Sequence, residues 1–157
     1  MLAGLGVPAA TGASPKPATP LKLPVGSAAA VAAPDTAGAR PVRLALTVRY
    51  LMQCGRPGAG PIVVSLPAAE HVPGTFARSD VLVGGRPPVT AKVSGHAVLL
   101  TLPRPQGITC MVIAPGTLTI VFAREAGLGN PETAGTYAIP VRVGVRTFVA
   151  RLTVKAT

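Results

Sequence analysis

The chain has few of the residues on which catalytic sites depend. Its 157 residues include five acids, two histidines, two cysteines and no tryptophan. His71 and His96 lie in separate segments, and the acids form no paired-carboxylate pattern of the kind that glycoside hydrolysis needs. The cysteines do not form a CxxC motif, and no histidine lies at ligand spacing from them. We therefore expect neither an enzyme nor a bound metal or cofactor.

The basic residues also lack the pattern of a nucleic-acid-binding protein. The net charge is +10, from 15 basic and 5 acidic residues. Aromatic residues, which would stack on bases, make up only 3% of the chain. The arginines stand singly along the predicted strands, at Arg43, Arg49, Arg78, Arg142, Arg146 and Arg151. Their charge permits anionic lipid or an anionic cell-wall polymer or glycan as a partner, whereas nucleic acid is not expected.

No apolar run approaches the roughly 20 residues that span a bilayer, so no membrane span is predicted. The opening MLAGLGVPAATGA lacks the basic start of a full signal peptide. It fits either the remnant of such a peptide or the start of a mature chain. Export is therefore inferred only indirectly.

Glycine, proline and aliphatic residues are abundant. The chain has 18 glycines and 18 prolines, and 48% of its residues are hydrophobic. This composition suits short strands joined by tight turns. Strands are predicted over 42–50, 61–67, 79–85, 117–123, 136–143 and 146–154, with a hairpin over 89–103 and a Pro-Gly turn at 115–116. Eight or so such strands indicate an all-β sandwich or barrel.

The best strand pattern is VRLALTVRY, in which apolar and other residues alternate. Val42, Leu44, Leu46, Val48 and Tyr50 share one face. Before this strand, residues 1–40 contain twelve alanines and six prolines. We interpret residues 1–40 as an extended arm without a core of its own, and residues 41–157 as the folded domain.

Cys54 and Cys110 have two interpretations. In an exported chain they would form a disulfide, which in the chain-entropy model stabilises a loop of this size by roughly 4 kcal/mol. The other interpretation is a pair of separate buried thiols. The disulfide is the favoured prediction.

The stretch AREAGLGNPETAGTYAIPVRV, residues 123–143, combines a definite turn with a strand. Gly127 and Gly129 permit backbone angles closed to other residues, and Asn130 before Pro131 favours an extended entry. Gly135 then leads into a strand that contains Tyr137. No Lys-Ser/Thr pair follows the glycines, so a phosphate-binding loop is not indicated. A structural turn is predicted.

Residues 60–143 resemble an immunoglobulin-like domain of bacterial and archaeal cell-surface and S-layer-associated proteins. The most specific part of the resemblance is Asn130, Pro131, Ala134, Gly135, Thr136 and Tyr137. It implies an exported immunoglobulin-like β-sandwich of about seven to nine strands, with a structural or adhesive role and no catalytic residues. The chain differs from that family in its single domain copy, its two cysteines and its Ala/Pro-rich arm.

These features lead to two hypotheses about an extracellular or cell-surface protein. In the first, the chain is a secreted structural subunit that assembles head to tail with itself into a pilus-like filament or surface array. Its arm would add to the sheet of the next subunit through contacts that include Leu21, Leu23, Val25 and Val31. In the alternative, it is a monomeric adhesion module that binds anionic glycans.

Overall fold

A computed structural model describes residues 22–58, 60–104 and 110–157. These residues form nine strands and two short 3₁₀ helices, Arg78–Asp80 and Arg124–Ala126, with no α-helix among them. The strands are β1 (Ser27–Ala33), β2 (Arg43–Gln53), β3 (Ile62–Ser65), β4 (Val81–Val83), β5 (Thr90–Ser94), β6 (Ala97–Thr101), β7 (Ile113–Phe122), β8 (Gly135–Val143) and β9 (Arg146–Val154). The predicted all-β class is confirmed.

The strands form two antiparallel sheets that pack as a sandwich. One sheet has the order β1-β2-β7-β4 and the other the order β5-β6-β3-β8-β9. The first order and the β3-β8-β9 portion of the second match the ABED and CFG sheets of immunoglobulin-type sandwiches. The β5–β6 hairpin widens the second sheet beside β3.

Alternation along the strands builds a mainly aliphatic core between the sheets. All five residues of the predicted β2 face, from Val42 to Tyr50, are buried. They pack with inward side chains of the second sheet such as Ile62 and Val141. The hairpin turns expected at Gly95 and Gly144 are confirmed, and both glycines have φ of +59°.

The structure corrects the boundary of the predicted arm. Residues 27–33, which the sequence analysis assigned to an arm ending at residue 40, form β1 and pair with β2 from Ser27–Arg49 to Ala33–Arg43. Ala30 and Ala32 point into the core, and the strand also lies against β9. The alternation of buried and exposed positions cannot be seen in the segment SAAAVAA, because nearly every position holds the same small side chain. The domain therefore begins before residue 41, and residues 1–21 of the predicted arm lie outside the described residues.

The predicted Pro-Gly turn at 115–116 is also wrong. Pro115 and Gly116 lie inside β7, opposite Leu51 and Tyr50 of β2. A Cβ on Gly116 would lie 2.6 Å from the Met52 sulfur, so a larger residue there would displace the buried Met52 side chain. The β2–β7 ladder consequently continues to Gln53 and Ile113, at one end of the sandwich.

Candidate interaction surface at one end of the sandwich

The strand register brings several distant segments to one end of the molecule. The end of β2 is paired with the start of β7, and the start of β1 lies beside the same part of β2. In the other sheet, Ile62 at the start of β3 pairs with Val143, directly before the β8–β9 turn. A Cβ on Gly60 would lie 3.0 Å from the Gly144 Cα atom, so the β2–β3 loop touches that turn. The two sheets therefore share this end.

Exposed aliphatic side chains concentrate here, and we call this surface the apolar end. Its members and their exposed fractions are Val25 47%, Leu51 45%, Met111 84%, Val112 64%, Ile113 66% and Val145 99%. Single exposed aliphatic residues are ordinary on protein surfaces, but a group of six from four segments is a feature of interaction sites. Other large exposed apolar residues, such as Val31 and Val149, lie on strands away from this end.

A covalent bond holds the apolar end in place. Cys54 and Cys110 form a disulfide with a Cα–Cα distance of 5.9 Å, which confirms the favoured prediction. The Cys54 N–H donates to the Val112 carbonyl over 2.8 Å, and the Gln53 side-chain amide donates to the Cys110 carbonyl. Cys54 has φ of +57°, in the left-handed region that non-glycine residues rarely adopt. The β2–β3 loop and the segment before β7 are thus fixed to each other.

Basic side chains surround the apolar end. Arg49 lies in the second half of β2 and Arg56 follows that strand. Arg104 follows β6, and Arg146 begins β9. Lys22 and Arg142 lie next to these positions. Sequence spacing made the arginines look scattered, whereas the fold gathers these six cations at one end.

All five acids of the chain lie toward the opposite end. Asp35 follows β1, and its carboxylate pairs with the Lys155 ammonium at 2.6 Å. Asp80 precedes β4, and Glu125 lies in the 3₁₀ helix after β7. Glu70 follows β3, and Glu132 precedes β8. The hydrogen bond from Lys155 lowers the pKa of Asp35.

A shallow groove of about 450 Å³ lies beside the apolar end, on the outer face of the first sheet. It is lined by Lys22, Leu23, Thr47, Arg49, Pro115, Gly116 and Thr117. The Arg49 guanidinium donates to the Leu23 carbonyl over 2.7 Å, which attaches residue 23 to β2. The groove presents two cations and two threonine hydroxyls, a set suited to anions.

The predicted structural turn lies at the opposite end. The Asn130 side-chain amide donates to the Pro34 and Thr36 carbonyls, both over 2.9 Å. The Tyr137 hydroxyl donates to the Thr133 carbonyl over 2.7 Å, as in the tyrosine corners of immunoglobulin-type sandwiches. Gly127 has the expected left-handed φ, +74°, but Gly129 does not. A Cβ on Gly129 would lie 3.2 Å from the His71 Cβ atom, so glycine at this position permits the close approach of two loops. The turn attaches the β1–β2 connection to the domain.

Pro131 and Gly135 complete this turn. The buried Pro131 accepts a hydrogen bond from the Gly38 N–H over 2.9 Å, and Gly135 is the first residue of β8.

Glu70 is the one acid that the fold buries. Its side chain is 3% exposed, and neither carboxylate oxygen has a hydrogen-bond partner. Burial raises the pKa of Glu70 to about 8. The group is therefore mainly protonated at neutral pH, when it adds no negative charge to the opposite end.

Three of the four residues predicted for arm contacts are described, and their contacts with a second subunit stay a prediction. Leu21 lies outside the described residues, while Leu23 and Val25 lie near the apolar end. Val31 is 64% exposed on the outer face of β1, in the half of the strand that is farther from the apolar end. His71 contacts Gly129, and His96 lies in the β5–β6 turn, so the two histidines belong to different loops.

The strand pattern of the sequence does not predict the apolar end. Met111, Val112 and Ile113 form an apolar run that does not alternate, and Val145 occupies a hairpin turn where polar residues are usual. These two irregularities are the features of the sequence that indicate an exposed apolar surface. Their proximity depends on pairing between strands that are far apart in the chain.

Among the described residues, no group of three or more His, Cys, Asp or Glu side chains is placed to hold a metal ion. Within the same residues, no helix is long and apolar enough to cross a membrane. No family model and no curated protein matches the chain.

Among solved structures, the chain is similar to that of BslA, described as a bacterial hydrophobin. The match has a TM-score of 0.51 and 18% sequence identity, and it covers 83% of this chain and 98% of that chain. At this identity the likeness concerns the fold. The resemblance to surface-layer domains is not tested by this match and stays a prediction.

Proposed function

We propose that this chain is a secreted structural protein that adsorbs to apolar surfaces through its apolar end and assembles there into a layer. The observation that carries the proposal is the group of exposed aliphatic side chains at one end, from Val25 to Val145. Water contact with these side chains is unfavourable by about 25 cal/mol per Å² of apolar area. Adsorption to an apolar phase would remove that contact.

The construction of this end supports the proposal. The disulfide and the Cys54–Val112 hydrogen bond hold the exposed residues 111–113 beside the end of β2. A disulfide also fits an oxidising, extracellular compartment. The similar fold of a protein described as a bacterial hydrophobin points in the same direction. No catalytic group is required for this role.

A pair of substitutions at the apolar end tests adsorption. Met111 and Val145 are the most exposed large apolar residues in the part of the chain that the structure describes, so Met111→Asp with Val145→Asp should leave the fold intact. The matched control is Val31→Asp with Val149→Asp, which changes two exposed apolar residues on the strands. The measurement is the surface tension of a pendant drop over time, with circular dichroism as the check of folding.

Wild type and the control pair should lower the surface tension rapidly, and the apolar-end pair should do so much more slowly. Equal behaviour of the two variants would overturn adsorption through this end. A folded wild type that leaves the surface tension unchanged would overturn the proposed function altogether.

Strand exchange is the proposed route by which copies join. In the structure, β1 pairs with β2 of its own chain, and Val31 lies opposite Ala45 on the outer face. An exchanged assembly would place the same strand on β2 of the next subunit. Head-to-tail repetition would then extend the assembly.

A cysteine pair tests this route. With Val31→Cys and Ala45→Cys, oxidation of an exchanged assembly should give a ladder of cross-linked chains on a non-reducing denaturing gel. Single substitutions control for random disulfide formation. Assemblies that yield only monomers with an internal bond would overturn exchange while leaving adsorption intact.

The anionic-glycan module stays the alternative, because the groove near Lys22 and Arg49 offers paired cations. Titration calorimetry with an acidic polysaccharide would measure it. Saturable binding that Arg49→Ser abolishes would favour this alternative, and heat signals unaffected by Arg49→Ser would count against it.

A further inference from the structure

The basic residues at the apolar end have no acidic residues near them to balance their charge. Within the described part of the chain, six basic residues lie at this end: Lys22, Arg49, Arg56, Arg104, Arg142 and Arg146. The chain has five acids in all, and each of them lies toward the opposite end. A strongly positive apolar surface therefore faces outward from a domain whose negative charges are all remote.

Adsorption to air or to a neutral oil does not explain this distribution. Cations remain hydrated beside such a phase and gain no partner there. They also repel the cations of neighbouring molecules in a layer. A surface that carries fixed negative charge would supply the missing counter-charges and would reduce this repulsion.

We infer that the partner of the apolar end is the surface of an anionic lipid layer. This inference rests on the proposed function, since it names the surface to which the same end adsorbs. The aliphatic side chains of Met111, Val112 and Val145 would enter the boundary of the acyl chains. The surrounding arginines would extend to anionic headgroups while their apolar stems lie along the lipid.

The combination of side chains favours a lipid layer over a soluble acidic polymer. A polymer would satisfy the cations but would leave the most exposed aliphatic residues, such as Val145 at 99%, in water. A lipid layer satisfies both, because its charge lies at the surface and its apolar chains lie beneath. Insertion and headgroup attraction then add to each other.

Vesicle co-sedimentation tests the inference. The probes are phosphatidylcholine vesicles with and without about 30% phosphatidylglycerol, each with wild type and two triple variants. The first variant is Arg56→Ser, Arg104→Ser and Arg146→Ser, at the apolar end. Its control is Arg78→Ser, Arg124→Ser and Arg151→Ser, which changes three exposed arginines elsewhere. Both lower the net charge from +10 to +7, so a difference between them reflects position.

Wild type should prefer the anionic vesicles, and added salt should weaken the preference. Each arginine removed from the apolar end should weaken binding to anionic vesicles about fivefold. The apolar-end triple should therefore lose roughly a hundredfold in affinity for these vesicles, while the control loses far less. Equal binding to both vesicle types, or equal losses in both triples, would overturn the inference. So would equally strong binding to a soluble acidic polysaccharide.

Pendant-drop measurements on the same samples distinguish failure of the proposed function from failure of the lipid inference. A protein that lowers surface tension but shows no preference for anionic vesicles keeps the proposed function and loses this inference. A protein that does neither loses both.

Discussion

The two ends of the sandwich differ in the interactions that hold their loops and in the sign of their charges. At the apolar end, a disulfide holds exposed aliphatic side chains, and the charged groups are basic. At the other end, side-chain amide and hydroxyl groups bind backbone carbonyls, and all the acids lie near them. Apolar side chains that face water cannot stabilise one another by burial, and the segment before β7 has a covalent bond in addition to its hydrogen bonds. Polar groups can hold their loops by hydrogen bonds.

The comparison explains why the loops of one domain use different chemistry. The proposed adsorption requires exposed side chains at the apolar end, and exposure excludes the burial that normally fixes a loop. A surface without that task can hold its connections with buried groups such as Asn130 and Pro131. Substitutions at each end should have different consequences.

The largest effect is expected from removing the disulfide. Cys54→Ser with Cys110→Ser should lower the free energy of unfolding by about 4 kcal/mol, because the unfolded chain regains the freedom of the closed loop. Urea denaturation measures this loss. Wild type with its disulfide reduced is the matched control and should show the same loss. A change below about 1 kcal/mol would show that other contacts fix the apolar end.

The next effect concerns the pH dependence of stability through Glu70. Its pKa is raised from 4.5 to about 8 in the folded protein. Between these values the unfolded chain ionises while the folded chain keeps its proton. Glu70 therefore destabilises the fold as pH rises, with a slope of up to about 1.4 kcal/mol per pH unit, and the change ends above pH 8.

Glu70→Gln should remove this contribution, so the variant gains stability relative to wild type as pH rises from about 5 to about 8. Urea denaturation across this range measures the difference. Glu125→Gln changes an exposed acid at the same end and should keep the wild-type slope. Parallel curves for wild type and Glu70→Gln would contradict the burial of a protonated carboxyl.

Asn130→Ala should loosen the opposite end. The substitution leaves the Pro34 and Thr36 carbonyls without their donor, so we expect a loss of about 2 to 3 kcal/mol in the free energy of unfolding. Hydrogen exchange should quicken at the Ala37 and Gly38 amides, which are bonded in the same connection. Unchanged exchange there would mean that Asn130 does not hold the β1–β2 connection.

The smallest effects on stability are expected from removing the hydroxyl groups of the two tyrosines, Tyr50 near the apolar end and Tyr137 near the opposite end. Tyr137→Phe removes a hydrogen bond to Thr133 and should lower stability by about 1 kcal/mol. The Tyr50 hydroxyl is buried without a partner, and burial raises its pKa, so Tyr50→Phe should be neutral or slightly stabilising. Thermal unfolding of both variants gives the difference. Equal losses would remove the contrast between the two hydroxyls.

The sequence was sufficient for the features that local pattern encodes. Alternation in β2, β8 and β9 and the turn glycines at 95 and 144 led to the right class and to most strands. β1 was missed because alanines on both faces carry no alternation. The apolar end was missed because residues 51, 111–113 and 145 meet only through the pairing of separate strands.

Methionine oxidation tests the central claim most directly. Met111 is 84% exposed and Met52 is 2% exposed, so peroxide should oxidise Met111 readily in solution. A Glu125→Met variant places a second exposed reporter at the opposite end. Oxidation is followed by mass spectrometry in solution and on hydrocarbon droplets. The account predicts strong protection of Met111 on the droplets with no protection at position 125. Equal oxidation of Met111 in both settings, or protection at position 125 instead, would contradict it.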